Sequence, residues 1–188
     1  MRTKIAAAIL ATLLFHATGS AAMVEIKGVR FATAVNVDDT HLTLRGTALL
    51  KYMVFIDAYV GALYTAAPRD TDDILGPVAK RLVLEYFHAI KGQDFAAATR
   101  KKIEDNVSPA ALANLRPRIE RLAAMYRDVQ PGDRYALTYL PGVGTELALN
   151  GEALGTIPGA DFARAVFAIW LGRNPIDTDF RDLLLGAK

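Results

Sequence analysis

The chain has 188 residues, 22 Lys+Arg against 20 Asp+Glu, and no cysteine. The near balance of charge argues against nucleic-acid binding, which needs a sustained basic surplus. Without cysteine there is no thiol nucleophile, disulfide framework or Cys-based metal site.

Residues 1–22 read as a targeting segment. Arg2 and Lys4 form a positive start, and Ile5 to Phe15 is an apolar stretch of 11 residues, short for a bilayer span. Gly19-Ser20-Ala21-Ala22 supplies small side chains for signal peptidase if the cut follows Ala22. Its removal takes Arg2 and Lys4, leaving 20 bases against 20 acids over 23–188. That remainder suits one domain large enough to bury a core. The reading is an exported protein, periplasmic or secreted, with no stable membrane span once the segment is cleaved. His41 and His88 are far apart in the chain with no third histidine beside either, so no histidine metal site is expected. No cofactor motif is present.

Strand signals come first. They cover Val24 to Val37, Leu42 to Gly46 and Val54 to Tyr64. Arg81 to His88 alternates, with Leu82, Leu84 and Tyr86 on one side and Val83, Glu85 and Phe87 on the other. Helical signals follow. Asp94 is placed to cap a helix from Phe95 to about Val107. Ser108-Pro109 is a cap followed by proline at the first helical position. Pro117 is expected to end that helix near Asn114 and to open another, Pro117 to Tyr126, with Ile119, Leu122, Ala123 and Tyr126 inward. Three late strands come next: Arg134 to Leu140, Glu146 to Leu149 and Glu152 to Ile157. Asn150-Gly151 makes a tight hairpin between the last two. Asp161 is placed to cap Phe162 to Leu171, whose stripe is Phe162, Ala165, Val166, Ile169 and Trp170. A short helix runs from about Asp177 to Leu185. This order predicts an α+β fold: an antiparallel sheet of about six or seven strands with helices layered on one face.

One apolar segment carries embedded polar groups. Leu42 to Thr65 holds Arg45, Lys51, Asp57, Tyr59 and Tyr64. A period of two from Tyr59 passes through Asp57, Gly61 and Leu63, so Tyr64 faces the other side. A cation and a phenol on one buried face would clamp a carboxylate or an enolate. Read from the residues alone, the set describes two surface charges and a core tyrosine better than a clamp, since buried cations are uncommon.

The last third adds an ordered pattern: Gly132-Asp133, Pro141-Gly142-Val143-Gly144-Thr145, Asn150-Gly151, Asp161-Phe162, Ile169-Trp170-Leu171-Gly172, Pro175 and Leu184-Leu185-Gly186. Together with Leu42 to Thr65 it resembles the chalcone isomerase-like proteins in their bacterial secreted form. The resemblance implies their open-faced sandwich fold. In that family a glycine-containing turn with a basic residue precedes a strand of pattern K-V-Y-x-x-x-L-Y. Here the turn would be Arg45 to Tyr52 and the strand Asp57-Ala58-Tyr59-Val60-Gly61-Ala62-Leu63-Tyr64. In plant fatty-acid-binding relatives an arginine from the turn and a tyrosine from the strand hold a ligand carboxylate. In true isomerases a threonine replaces the tyrosine. The resemblance makes Tyr59 the binding version and leaves Lys51 and Arg45 as alternatives for the cation.

The isomerases' helix start G-Q-Q-Y is matched by Gly92-Gln93-Asp94-Phe95, without the tyrosine hydroxyl. Their lysine and asparagine farther along fall at Ala98 and Lys102. These departures argue against chalcone cyclisation. The implied function is non-catalytic binding of a small carboxylate or fatty acid-like ligand by Arg45 or Lys51, Tyr59 and Phe95. The rivals are an isomerase or lyase stabilising an enolate in the same cleft, and a structural envelope protein with no ligand.

Overall fold

Side-chain alternation along the strands divides the molecule into two cores, one on each face of a single sheet. The computed structural model describes residues 22–53, 55–66 and 73–186. The expected leader, apart from Ala22, lies outside them. The strands are β1 (Met23–Ile26), β2 (Val29–Ala32), β3 (Ala34–Val37), β4 (Thr40–Tyr52), β5 (Ile56–Thr65), β6 (Lys80–Tyr86), β7 (Arg134–Leu140), β8 (Gly144–Leu149) and β9 (Glu152–Ile157). The helices are α1 (Gly92–Glu104) and α2 (Pro109–Met125), inserted between β6 and β7, then α3 (Ala160–Leu171) and α4 (Thr178–Leu184) after β9. β3 to β9 pair in chain order, all antiparallel, and β1–β2 is a separate hairpin. The class is α+β, as the order of elements predicts. Among the described residues no helix is long and apolar enough to cross a membrane.

Tyr59, Leu63, Leu82, Leu84, Tyr86, Leu137 and Leu147 belong to the main core with the helices. Val60, Ala62 and Tyr64 belong to a smaller core with Val29 and Phe31 of the β1–β2 hairpin. Tyr59 and Tyr64 thus lie on opposite faces. Burying a large apolar side chain contributes about 1.5–3 kcal/mol, so a one-residue slip of β5 would exchange both sets at once.

Several boundaries differ from expectation. Val24 to Val37 breaks into three strands: Lys27 and Gly28 take positive φ (52° and 79°) and turn β1 back on β2, and Thr33 separates β2 from β3. The expected turn Arg45 to Tyr52 is strand: it continues the Leu42 run as β4, 13 residues long. Register slips between Leu44 and Gly46 and again between Leu50 and Lys51. A bulge absorbs the odd residue, so the ladder and the inward set Ala48 and Leu50 survive. Gly46 then admits α4: a Cβ there would sit 2.2 Å from the Leu183 carbonyl oxygen.

The helices show how distant residues move local boundaries. α1 starts at Gly92, three residues before Phe95, because the Asp128 carboxylate accepts from the Gly92 N–H at 2.9 Å. α2 is one helix through Pro117, with Leu115 and Ile119 buried on either side of it. Proline inside a helix costs about 3 kcal/mol, and burial of Leu115, Ile119 and Leu122 outweighs that. Ser108 caps α2 through the Ala111 N–H, and Asp177 caps α4 through Phe180 at 2.7 Å. Asp161 does not cap α3. It lies in the first turn and pairs with both guanidinium nitrogens of Arg118, at 2.7 and 2.6 Å.

Candidate functional site

The period of two along β6 puts Leu82, Leu84 and Tyr86 on the helix side, and strand pairing then assembles the rest. Tyr59 of β5 is the direct partner of Tyr86, and Tyr135 of β7 is the partner of Leu84. The Tyr59 and Tyr86 rings meet edge to face at 5.4 Å. Phe95, one turn into α1, comes within 5.1 Å of Tyr86 and 5.3 Å of Tyr135. Tyr126, just past α2, stacks on Phe95 at 5.5 Å. These rings enclose a cavity of about 280 Å3. Its buried floor includes Tyr59, Leu82, Leu84, Tyr86, Leu137 and Leu147. Its more exposed rim is Asp94, Ala98 and Lys102 along one side of α1, faced by Trp170 and Ile176. Lys102 Nζ donates to the Pro175 carbonyl at 3.1 Å and ties α1 to the α3–α4 connection across that rim.

The four phenols around the cavity differ in what their hydroxyls already do. Tyr135 donates to the Arg127 carbonyl at 2.9 Å and accepts from the Arg127 N–H at 2.7 Å. Tyr126 shares a 3.0 Å hydrogen bond with Thr99 Oγ1. The Tyr59 oxygen accepts from Trp170 Nε1 at 3.1 Å, which leaves its own proton to donate. The Tyr86 hydroxyl has no hydrogen-bond partner among the described residues, although the residue is only 3% exposed. Of the four, it is the hydroxyl left open to the cavity space.

Burial raises all four above the ordinary phenol range. Tyr126 is pushed up to about 12, with the Thr99 hydrogen bond opposing burial. At neutral pH all four are protonated. Tyr59 and Tyr86 are therefore donors awaiting an acceptor.

Of the four residues expected in a site, Tyr59 and Phe95 line this cavity; Arg45 and Lys51 do not. Arg45 sits at the β4 bulge, and its Nε donates to the Leu185 carbonyl at 3.1 Å, where the end of α4 attracts a cation. Lys51 is exposed near the end of β4, opposite Asp57. The cation that lines the cavity is Lys102. The residues that sequence reasoning passed over are Tyr86, Tyr126, Tyr135 and Trp170 as a group. Tyr86, Tyr126 and Trp170 were each legible on one face from their own periodicity; nothing local showed that they converge with Tyr135.

A family profile described as chalcone isomerase-like matches residues 22–186. The chain belongs to the chalcone isomerase-like family. A solved structure of a fatty-acid binding protein from Arabidopsis thaliana superposes with a TM-score of 0.71, covering 87% of this chain and 96% of that one at 15% identity. At that identity the likeness is one of fold. No curated protein matches the chain by sequence. Phe95, Ala98 and Lys102, the positions where this chalcone isomerase-like chain departs from the isomerases, all line the same cavity.

Proposed function

We propose that this chalcone isomerase-like protein is an exported, non-catalytic binding protein for a small acid with an apolar tail. The observation that carries the reading is the Tyr86 hydroxyl, protonated and unpaired on the wall of an apolar cavity. With the free proton of Tyr59 it offers two donors for the oxygens of a carboxylic acid or fatty acid-like head. Arg45 and Lys51 are not needed for this. Lys102 at the rim supplies the positive charge that draws an acid in. The leader-like segment supports export to the periplasm, and the fatty-acid binding protein of the same fold supports a lipid-like ligand. The Phe95, Ala98 and Lys102 substitutions support a binding role over chalcone ring closure.

The cavity's 280 Å3 holds on the order of ten groups at about 30 Å3 each. That favours an acid of about eight to ten carbons over a long-chain one. Native mass spectrometry of protein purified from its own host, with extraction of bound material, should yield such an acid. In titrations with linear acids of increasing length, affinity should peak at octanoic to decanoic acid. Affinity still rising at palmitic acid would overturn the size argument. No binding across the series would overturn the function.

A further inference from the structure

Tyr52 ends β4 and Ile56 begins β5, with Met53 and Phe55 in the turn between them. In chain order the four are 61, 69, 90 and 43% exposed. The other large exposed apolar residues among those described, Met23, Val143, Ile176 and Leu183, stand apart in the chain. A scattered apolar residue on a surface is ordinary, whereas a contiguous set marks a contact.

The turn chemistry points the same way. Three other hairpins reverse through a glycine in the left-handed region, Gly28, Gly142 and Gly151, and β3–β4 turns at Asp38 (φ 48°). The β4–β5 turn holds Met53 at φ 50°, where a methionine is disfavoured. The other positive-φ residues without glycine's freedom, Lys27, Asp38 and Asn150, are polar, whereas this turn gives the place to an apolar side chain.

The form of the tip selects its partner. Aromatic side chains cover about 150–250 Å2 each, so the tip offers on the order of 500 Å2. A stable protein partner or second copy needs about 800 Å2 per side, and a flatter surface. A narrow tip bearing a tyrosine, a phenylalanine and two aliphatic side chains suits the boundary between headgroups and acyl chains, where such rings concentrate. Lys51, exposed beside it, is placed to meet anionic headgroups. Lys27 on the adjacent hairpin is paired with Asp57 at 2.9 Å.

We infer that the β4–β5 tip docks this protein on an anionic lipid bilayer, inserting Tyr52, Met53, Phe55 and Ile56. Tyr59 follows Ile56 by three residues on the same strand, so docking brings the cavity end of the sheet toward the lipid. The inference stands without any ligand in the cavity.

The full chain has no cysteine, so Phe55→Cys accepts a single environment-sensitive fluorophore, and Glu152→Cys in β9 serves as a control. Both carry the same N-terminal segment and differ only in where the probe sits. With vesicles of phosphatidylethanolamine and phosphatidylglycerol, the Phe55→Cys probe should shift to the blue and be quenched by lipid-borne spin labels, and the Glu152→Cys probe should not. Tyr52→Ser combined with Phe55→Ser, in the unlabelled chain, should weaken vesicle binding about tenfold or more. Tyr86→Phe should leave the tip probe's response intact, which separates this inference from the cavity reading. No response at Phe55→Cys overturns the inference. So does a blue shift that grows with protein concentration in the absence of lipid, because a second copy would then be covering the tip.

Discussion

Lys80 and Tyr86 stand at the two ends of β6 on the same face of the sheet, 0% and 3% exposed. Lys80 Nζ donates to the Gly76 and Val78 carbonyls at 2.9 and 2.8 Å and lies over the Tyr139 and Phe167 rings at 4.6 and 5.4 Å. Tyr86, between Tyr59 and Phe95, meets only rings and open volume. At one end the chain brings acceptors to a buried polar group; at the other it leaves the group unanswered beside a cavity. Burial alone therefore does not separate structure from function in this core. The cavity beside the unpaired group does, because Thr145 Oγ1 is also unpaired and buried but lies away from this cavity.

The largest test of that contrast is at Lys80. Lys80→Ala removes two charge-assisted hydrogen bonds and opens a void, and should cost about 3 kcal/mol or more in denaturant unfolding. Affinity for a cavity acid should not change. A cost below about 1 kcal/mol would show that Lys80 does not hold the Gly76–Val78 segment.

The counterpart is Tyr86→Phe. Folding already leaves this hydroxyl unpaired, so stability should hold or rise slightly, while acid affinity falls about tenfold. Tyr59→Phe should match that affinity loss and also cost about 1 kcal/mol of stability, because the Trp170 N–H loses its acceptor. Equal stability losses at Tyr86 and Tyr59 would erase the distinction between an engaged and a free phenol.

A subtler reading comes from pH. Burial lowers Lys80 from 10.5 to about 8. Between those values the unfolded chain holds a proton on this lysine that the folded chain has released. This group's contribution to stability therefore rises as pH climbs from about 8 to 10.5. The buried phenols act oppositely. With raised folded values they stay protonated above pH 10 while the unfolded chain ionises, so their contribution falls there. Comparing the wild type with Lys80→Met below pH 10 isolates the lysine: only the wild type should gain stability through that window. Parallel curves would mean that Lys80 keeps its ordinary titration.

The smallest effects belong to Lys51 and Arg45. Neither lines the cavity, so Lys51→Met and Arg45→Met should leave acid affinity within about twofold of the wild type. Arg45→Met should cost no more than about 1 kcal/mol, from its bond to the Leu185 carbonyl. A tenfold loss at either would return the anchor to the cation that the family resemblance suggested.

Much of the architecture was legible residue by residue. The alternation of Leu82, Leu84 and Tyr86, the Asn150-Gly151 reversal, the cap at Ser108 and the α3 stripe each depend on neighbours a few positions away. Such short-range patterns carry their own physical signal, and their order along the chain points to the fold class and the family. The start of α1, the passage of α2 through Pro117 and the strand character of Arg45 to Tyr52 were not legible. Each depends on a partner remote in sequence: Asp128, the core beneath Leu115 and Ile119, and β5 together with α4.

The cavity belongs wholly to the second kind. Periodicity states which way Tyr59, Tyr86 and Tyr126 face, but it does not state which hydroxyl finds a partner. Tyr59 and Trp170 are 111 residues apart, and Thr99 and Tyr126 are 27 apart. Hydrogen bonding is a matter of ångströms between side chains that the chain order leaves unrelated. The free hydroxyl of Tyr86 stands out only against the partners that the other three cavity phenols find across the fold.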